Sequence, residues 1–407
     1  MEIVNCRKLL QFLLIVCLFC ISCTTTQSLK SLFFDKNVKL SESEARLWES
    51  ADEFEKALDK NPMSYRNTLL ERYLNQVLSN LIMEKELIRK YKPHVRVIRN
   101  PLLNATALAN GAILVHSGML ARIDNEAQLS AILGHELVHF MNRHAYRSLQ
   151  RKIQESRNRA AVSIFFAIVM LPITGVAPKV ANAIGEHWEL AAISGYSREL
   201  EREADESALV LMAEAGYDPR EAITVFRHLR KEYDPDTVKE SFYYGSHPLL
   251  TERIHNVELF MAHYSKTLSQ MKMRKVTEAN YTRKIADLLL ENAEQDIEIG
   301  RFNTADMAVR KLLAAIPMSG KGHYLRGKLI MQLNEGPDSI ARALQAYKLS
   351  AKLNPSFPLT HRELGLIYYD RGQHGMALYE FNQYLGLAKN PVDGPIIRQY
   401  INTLSKK

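Results

Sequence analysis

An apolar segment in the first half of the chain carries two histidines and a glutamate, in the order His135, Glu136 and His139. Residues four positions apart differ by about 40° around an α-helix, so both imidazoles project from one face and can bind one zinc ion. Glu136 lies beside them and can accept a proton from a water at the metal. The surrounding residues are apolar nearly all round the predicted helix, which extends from about residue 125 to 151. Buried polar groups need partners, and a metal supplies one. Two hydrogen-bonded core histidines are the alternative.

The third metal ligand must come from another part of the chain. A metzincin would continue the motif with a glycine and a third histidine, and this chain has neither at those spacings. His144 lies about 140° from His139 around a continuous helix and is a poor ligand. On a second predicted helix, residues 197–215, Glu201 and Asp205 fall within the apolar arc. We therefore predict that Glu201 is the third ligand and that Asp205 hydrogen-bonds a ligand histidine. A solvated acidic helix is the alternative.

Taken together, these segments resemble the HtpX and CAAX-prenyl-protease family of zinc peptidases. The motifs are Gly134-His135-Glu136-x-x-His139, then Arg143-His144, then Ser197-Arg198-x-x-Glu201-x-x-x-Asp205. The segment from Asn104 to Leu120 resembles the strand pair that precedes the zinc helix in that family, although Asn110-Gly111-Ala112 stands where Pro-Gly-Gly is frequent. The resemblance implies a zinc endopeptidase with one zinc ion per chain and Glu136 as its catalytic base.

The same resemblance draws attention to Ser246-His247-Pro248 and to Arg253. His247 is expected either to be a fourth, regulatory zinc ligand or to contact the transition state, and a loop histidine near a helix start is the alternative. Arg253 is expected to pair with an acid or to polarise a substrate carbonyl. Tyr196, with two further tyrosines at 243 and 244, is a candidate oxyanion donor, and the sequence does not choose among them.

The order of the predicted elements indicates an α+β fold followed by an all-α solenoid. Helical spacing over 41–90, strand-like runs at 94–98, 104–108 and 113–115, and the two motif helices predict a mostly helical zincin domain with a small β-sheet, residues 41–265. From residue 278 to 395, small and large residues recur as in 34-residue TPR hairpins. A plain helical-hairpin domain is the alternative. The uncharged segment 160–178 contains prolines and a glycine, and we interpret it as buried or membrane-touching rather than spanning.

The start of the chain has the pattern of an export signal. A basic pair, Arg7 and Lys8, precedes an apolar stretch of 11 residues that is too short to span a bilayer. Residues 1–22 resemble a bacterial lipoprotein signal peptide, which predicts a lipid on Cys23 and a tether over 23–40. An ordinary signal peptide cleaved nearby is the alternative. All four cysteines lie within the first 23 residues, which excludes a disulfide framework and a cysteine-based zinc site in the mature protein.

The whole architecture is similar to the BepA-like periplasmic branch of the family, which acts in outer-membrane protein quality control. This similarity implies a lipid-anchored protein on the periplasmic side of the bacterial cell envelope, with the outer membrane as the expected site. Its expected substrates are unfolded or misassembled envelope proteins, bound as a strand beside residues 104–108, and its TPR units are expected to contact outer-membrane assembly machinery. A chaperone or assembly factor with rare or gated proteolysis is a second hypothesis, and a zinc-stabilised scaffold is a third. Despite a net charge of +8, no basic run with interleaved aromatics indicates nucleic acid as a partner.

Overall fold

The computed structural model describes residues 31–32, 39–155, 196–232, 250–333 and 336–405. The predicted signal peptide, the lipidation site Cys23, the uncharged segment 160–178 and His247 lie outside these residues. Within the described part of the chain, no helix is both long enough and apolar enough to cross a membrane.

The first part of the chain folds as helices around one small sheet, which confirms the α+β prediction. Its helices before the motif are α1 (Glu42–Leu58), α2 (Thr68–Asn80), α3 (Lys85–Tyr91) and α4 (Ser117–Arg122). The strands are β1 (Ser64–Tyr65), β2 (His94–Ile98), β3 (Ala105–Ala107) and β4 (Ala112–His116). The predicted strands are therefore confirmed within one or two residues. The helical pattern over 41–90 is divided among three helices and a short strand, because turns interrupt it after α1 and α2.

The sheet has the order β1-β2-β4-β3, with β2 parallel to β4 and the other neighbours antiparallel. Strand β4 lies between β2 and β3 and is buried along its whole length, and β3 forms one edge. The turn between β3 and β4 contains Gly111, whose φ of 95° is a conformation that glycine adopts without strain. A Cβ atom there would also lie 3.0 Å from the ring of Phe140, so the turn and the motif helix approach closely.

The motif helix, α5 (Glu126–Met141), begins with a side-chain cap. Asn125 accepts hydrogen bonds from the backbone N–H groups of Ala127 and Gln128, at 2.9 and 3.0 Å, and so satisfies two of the donors that a helix start leaves unpaired. Every residue from Ala127 to Met141 is buried. The expected core helix is therefore confirmed, and its rigid surroundings fix the direction of each side chain that it carries.

The prediction that this helix continues to residue 151 is wrong. It ends at Met141, and a separate helix, α6 (His144–Glu155), follows. Arg143 lies between them with a φ of 57°, a left-handed conformation that interrupts helical hydrogen bonding. The buried guanidinium of Arg143 donates from Nε to Oε1 of the buried Glu44 on α1, at 2.7 Å. A buried charge requires a partner, so we attribute the break to this ion pair, which holds Arg143 out of helical alignment.

Among the residues that the structure describes after α6, the same domain continues with α7 (Arg198–Glu214), α8 (Glu221–Glu232) and α9 (Leu250–Ser269). Helix α7 ends before Gly216, which has a φ of 79°, as its place after the last periodic residue predicts. Helix α7 packs across α5, where Gly134 faces Ala208 so closely that an added Cβ would lie 3.4 Å from the alanine Cβ. This close crossing brings the acids of α7 next to the histidines of α5.

The rest of the chain is a helical solenoid of antiparallel hairpins, as predicted. Its helices are α10 (Glu278–Lys284), α11 (Ala286–Glu298), α12 (Phe302–Ala315), α13 (Gly320–Leu333), α14 (Ser339–Leu353), α15 (Pro358–Asp370), α16 (His374–Leu387) and α17 (Gly394–Leu404). Small residues lie where paired helices cross: a Cβ on Gly327 would meet the ring of Tyr347, and one on Gly365 the ring of Phe381. The first hairpin is joined to the α+β domain by a buried ion pair, Arg122 to Asp296, at 3.1 Å.

Candidate metal centre

Three side chains that could hold a metal ion meet where α5 and α7 cross. His135 and His139 project from one face of α5, and Glu201 reaches them from α7. The two histidine Nε2 atoms lie 2.9 Å apart. The Glu201 carboxylate oxygens lie 3.6 Å from Nε2 of His135 and 3.5 Å from Nε2 of His139. All three residues are buried, so the site is shielded from bulk water.

This donor set fits one tetrahedral metal ion. Zinc binds histidine nitrogen and carboxylate oxygen at about 2.0–2.2 Å, which places neighbouring ligand atoms roughly 3.4 Å apart. The observed separations bracket that value, and two histidines with one carboxylate are a donor set typical of catalytic zinc. The two buried Nε2 atoms also face each other, an arrangement that a shared cation between them would explain.

Asp205 and Arg253 support His135 from behind. Asp205 Oδ1 lies 2.9 Å from Nδ1 of His135, so the aspartate can accept the proton on Nδ1 and leave Nε2 to bind the metal. Arg253 on α9 donates to both oxygens of Asp205, at 2.8 and 2.7 Å. Burial alone would raise the pKa of Asp205, but the charge of Arg253 and the contact with His135 outweigh it and lower this pKa to about 2. The aspartate is therefore ionised at any physiological pH.

His144 supports His139 in a similar way. Its Nδ1 lies 2.9 Å from Nδ1 of His139, and its Nε2 lies 3.5 Å from a carboxylate oxygen of Glu203. Burial lowers the pKa of His144 against the opposing effect of Glu203, so the neutral ring can accept the Nδ1 proton of His139. A continuous helix would place His144 far from His139, and the break between α5 and α6 brings the two rings together. His144 is not among the three converging donors, in agreement with its exclusion as a ligand.

Glu136 is fully buried and is held against the edge strand of the sheet. Its Oε2 accepts a hydrogen bond from the backbone N–H of Ala107 on β3, at 2.9 Å. This bond fixes the direction of the carboxylate, which belongs to the residue that follows His135 in the motif. The spacing of the motif predicts the place of Glu136 on the helix, but it does not predict the hydrogen bond to β3.

Tyr196 stacks on the ring of His139, with centroids 4.0 Å apart and an interplanar angle of 18°. Burial, reinforced by the charges of Glu136 and Glu201, raises the pKa of Tyr196 far above its usual value, so the phenol keeps its proton. Among the candidate oxyanion donors, this tyrosine lies beside the site. The tyrosines at 243 and 244, like His247, lie outside the described residues. Of the two roles considered for Arg253, the structure shows pairing with an acid.

Comparison with known proteins is consistent with this geometry. Residues 68–259 match the sequence profile described as peptidase family M48. The chain is 24% identical to the beta-barrel assembly-enhancing protease of Escherichia coli over 353 residues, which cover 80% of this chain and 70% of that protein. It is 33% identical to the mitochondrial metalloendopeptidase OMA1 of Arabidopsis thaliana over 138 residues, 34% of this chain and 26% of that protein.

A putative beta-barrel assembly-enhancing protease of Vibrio cholerae is 30% identical over 140 residues, 34% of this chain and 28% of that protein. The matched part of the chain thus spans less than a third of the Arabidopsis and Vibrio relatives and more than two thirds of the Escherichia coli protein. The profile match contains both motif helices and all three converging side chains. The chain therefore contains, at residues 68–259, a domain that is similar to peptidase family M48.

Proposed function

We propose that the protein is a zinc-dependent endopeptidase of the bacterial cell envelope. The observation that carries this proposal is the convergence of His135, His139 and Glu201, with Glu136 beside them, inside an M48 domain. Two histidines, one carboxylate and an adjacent acid are the parts that metal-assisted hydrolysis of an amide requires. We infer one zinc ion per chain.

When bound, zinc would supply Lewis-acid chemistry, making a water acidic and polarising the scissile carbonyl. Glu136 would take the proton of the attacking water and later deliver it to the leaving amine. The hydrogen bond from Ala107 would hold its carboxylate in place for both transfers. The protonated Tyr196 is a candidate donor to the oxygen that becomes negative. Asp205 and His144 would keep the two ligand histidines in the tautomer that presents Nε2.

The substrate would add as an extended strand beside β3. This strand is an edge of the sheet and lies against Glu136, so a peptide paired with it would cross the reactive groups. Recognition through backbone hydrogen bonds requires an unfolded segment and favours little sequence selectivity. Unfolded or misassembled envelope proteins are therefore the substrates that we propose.

The envelope setting rests on the lipoprotein-like start of the chain and on relatives named for β-barrel assembly. We infer that Cys23 carries a lipid and that the protein acts on the periplasmic side, at the outer membrane. The solenoid hairpins would be TPR units that bind clients or assembly machinery. They expose several large apolar side chains, such as Met318 at 72% and Tyr379 at 61%, which suit contact with unfolded chains.

A chaperone or assembly factor is the second candidate, because the same apolar surface would serve it without hydrolysis. In that case cleavage is rare or gated, and His247 remains a predicted gating or catalytic residue. A zinc-stabilised scaffold is disfavoured, because a purely structural zinc site would not need Glu136 as a base.

Removal of the metal should abolish cleavage of an unfolded protein. The purified full-length chain would be stripped with a chelator, dialysed and tested with and without added zinc, magnesium or calcium. Zinc alone should restore cleavage, because a nitrogen-rich donor set disfavours the two hard cations. Undiminished cleavage by the metal-free protein would contradict the proposed function.

A further inference from the structure

The segment before the first helix is docked onto the end of the motif helix. Leu32 is completely buried, and its backbone N–H donates to the carbonyl of Met141 at 2.8 Å. The hydroxyl of Ser31 donates to the same carbonyl at 3.3 Å. Met141 is the last residue of α5, where a helix leaves carbonyl groups without intrahelical partners. The incoming segment satisfies one of them and is therefore a structural part of the metal-binding unit.

A second set of contacts fixes the chain nearby. Ser41, the N-cap of α1, lies within hydrogen-bond distance of the Tyr146 hydroxyl on α6, at 2.6 Å. Glu44 pairs with Arg143 at the break between α5 and α6. We call these contacts, made by Leu32, Ser41 and Glu44, the N-terminal clamp. The clamp holds the start of the mature chain at the end of α5 that carries His139.

Chain length limits how far the clamp can lie from a lipid on Cys23. Leu32 follows Cys23 by nine residue steps, and an extended chain covers at most about 3.6 Å per step, or roughly 32 Å in all. Met141 follows His139 by two residues, about 3 Å along the helix axis. With the helix diameter of about 10–12 Å, the metal centre lies within roughly 50 Å of the lipid.

We propose that the short chain between Cys23 and the N-terminal clamp confines hydrolysis to polypeptide segments close to the membrane carrying the lipid. We call this chain, from Cys23 to Leu32, the leash. This inference rests on the proposed lipid anchor and zinc peptidase activity. It narrows the substrate class to polypeptide chains held at the membrane surface. A flexible tether attached far from the metal centre would allow cleavage much farther from the bilayer.

The test uses the full-length lipidated protein reconstituted in liposomes at low density. Each vesicle also carries a lipid-linked substrate in which one unfolded segment is held on a helical spacer of 20 or 60 residues, about 30 or 90 Å long. Four forms of the enzyme are compared: the natural chain, a 40-residue Gly-Ser insertion between Gln27 and Ser28, the same insertion between Gly336 and Pro337, and Leu32→Asp. The third form controls for an insertion that leaves the leash intact.

The natural chain and the control insertion should cut the near segment faster than the far one, by on the order of tenfold. The insertion after Gln27 should bring the two rates within about threefold, because the longer tether reaches both segments. Leu32→Asp should also bring the near and far cleavage rates closer together, because it releases the clamp. Equal near and far rates for the natural chain, or a preference unchanged by the insertion after Gln27, would overturn the leash.

Two further measurements separate this inference from the function on which it rests. The natural chain and the two insertion forms should cleave a soluble unfolded protein at the same rate, because neither insertion touches the metal centre. Mass spectrometry of the mature N-terminus should show lipid on Cys23. An unmodified Cys23 with normal soluble cleavage would overturn the leash and leave the peptidase standing, whereas loss of soluble cleavage in the natural chain would overturn the peptidase itself.

Discussion

Replacement of Glu136 by glutamine should reduce hydrolysis of an unfolded protein by roughly a thousandfold, within the range that a positioned general base contributes. The amide cannot accept the proton of the attacking water, yet it has nearly the shape of the carboxylate. Its carbonyl oxygen can still accept the hydrogen bond from Ala107, so the fold should be preserved. Initial cleavage rates at saturating substrate, measured at equal zinc content, check this prediction.

The matched control is Glu206→Gln, which changes an acid on α7 that is not among the three converging donors. It should retain the natural rate. The Glu136→Gln protein also separates the two candidate functions in cells: a chaperone role would survive this substitution, and a role that depends on hydrolysis would not. Cleavage by Glu136→Gln at the natural rate would contradict Glu136 as the base.

Replacement of Arg253 by alanine should destabilise the metal-free protein by about 3–5 kcal/mol, the typical cost of leaving a buried charge without its partner. Arg253 is 3% exposed and donates to both oxygens of Asp205. It also lies 3.5 Å from Glu201 and stacks over the ring of Phe226. Its loss would leave the buried carboxylates of Asp205 and Glu201 without this cation. Urea unfolding of the stripped protein measures the effect.

Arg202→Ala is the control, because Arg202 is half exposed and its pairing with Glu252, at 3.5 Å, lies at the surface. Such pairs contribute about 0–1 kcal/mol. We also expect the cost of Arg253→Ala to shrink when zinc is added, since a bound cation would neutralise the same carboxylates. Equal stability of the two variants without metal would contradict the assigned role of Arg253.

Much of the candidate metal site can be predicted from sequence because its parts are local patterns. The spacing of His135 and His139 fixes their common face, and the helical wheel of α7 selects Glu201 and Asp205, both of which the structure buries. The strands were predicted from short apolar runs and from the turn at Gly111. Periodicity in the sequence indicates which side of a helix or strand is buried, and this information is sufficient to predict which side chains point into the candidate site.

The contacts that escaped prediction join residues far apart in the chain. The break after Met141 has no glycine or proline to mark it, and we attribute it to Glu44, which precedes Arg143 by 99 residues. The contact between His144 and His139 depends on that break. Leu32 belongs to a segment that was interpreted as a tether, yet it is fully buried against α5. Pairings of this kind leave no periodic signal in a single sequence.

The metal content of the purified protein tests the central claim most directly. Elemental analysis should find one zinc ion per chain in the natural protein and in Glu199→Ala, which removes a largely exposed acid from the same helix as Glu201. His135→Ala and Glu201→Ala should lose most of their zinc after dialysis, because each removes one of three protein ligands. Full zinc content in both of these variants would contradict the metal site on which this account depends.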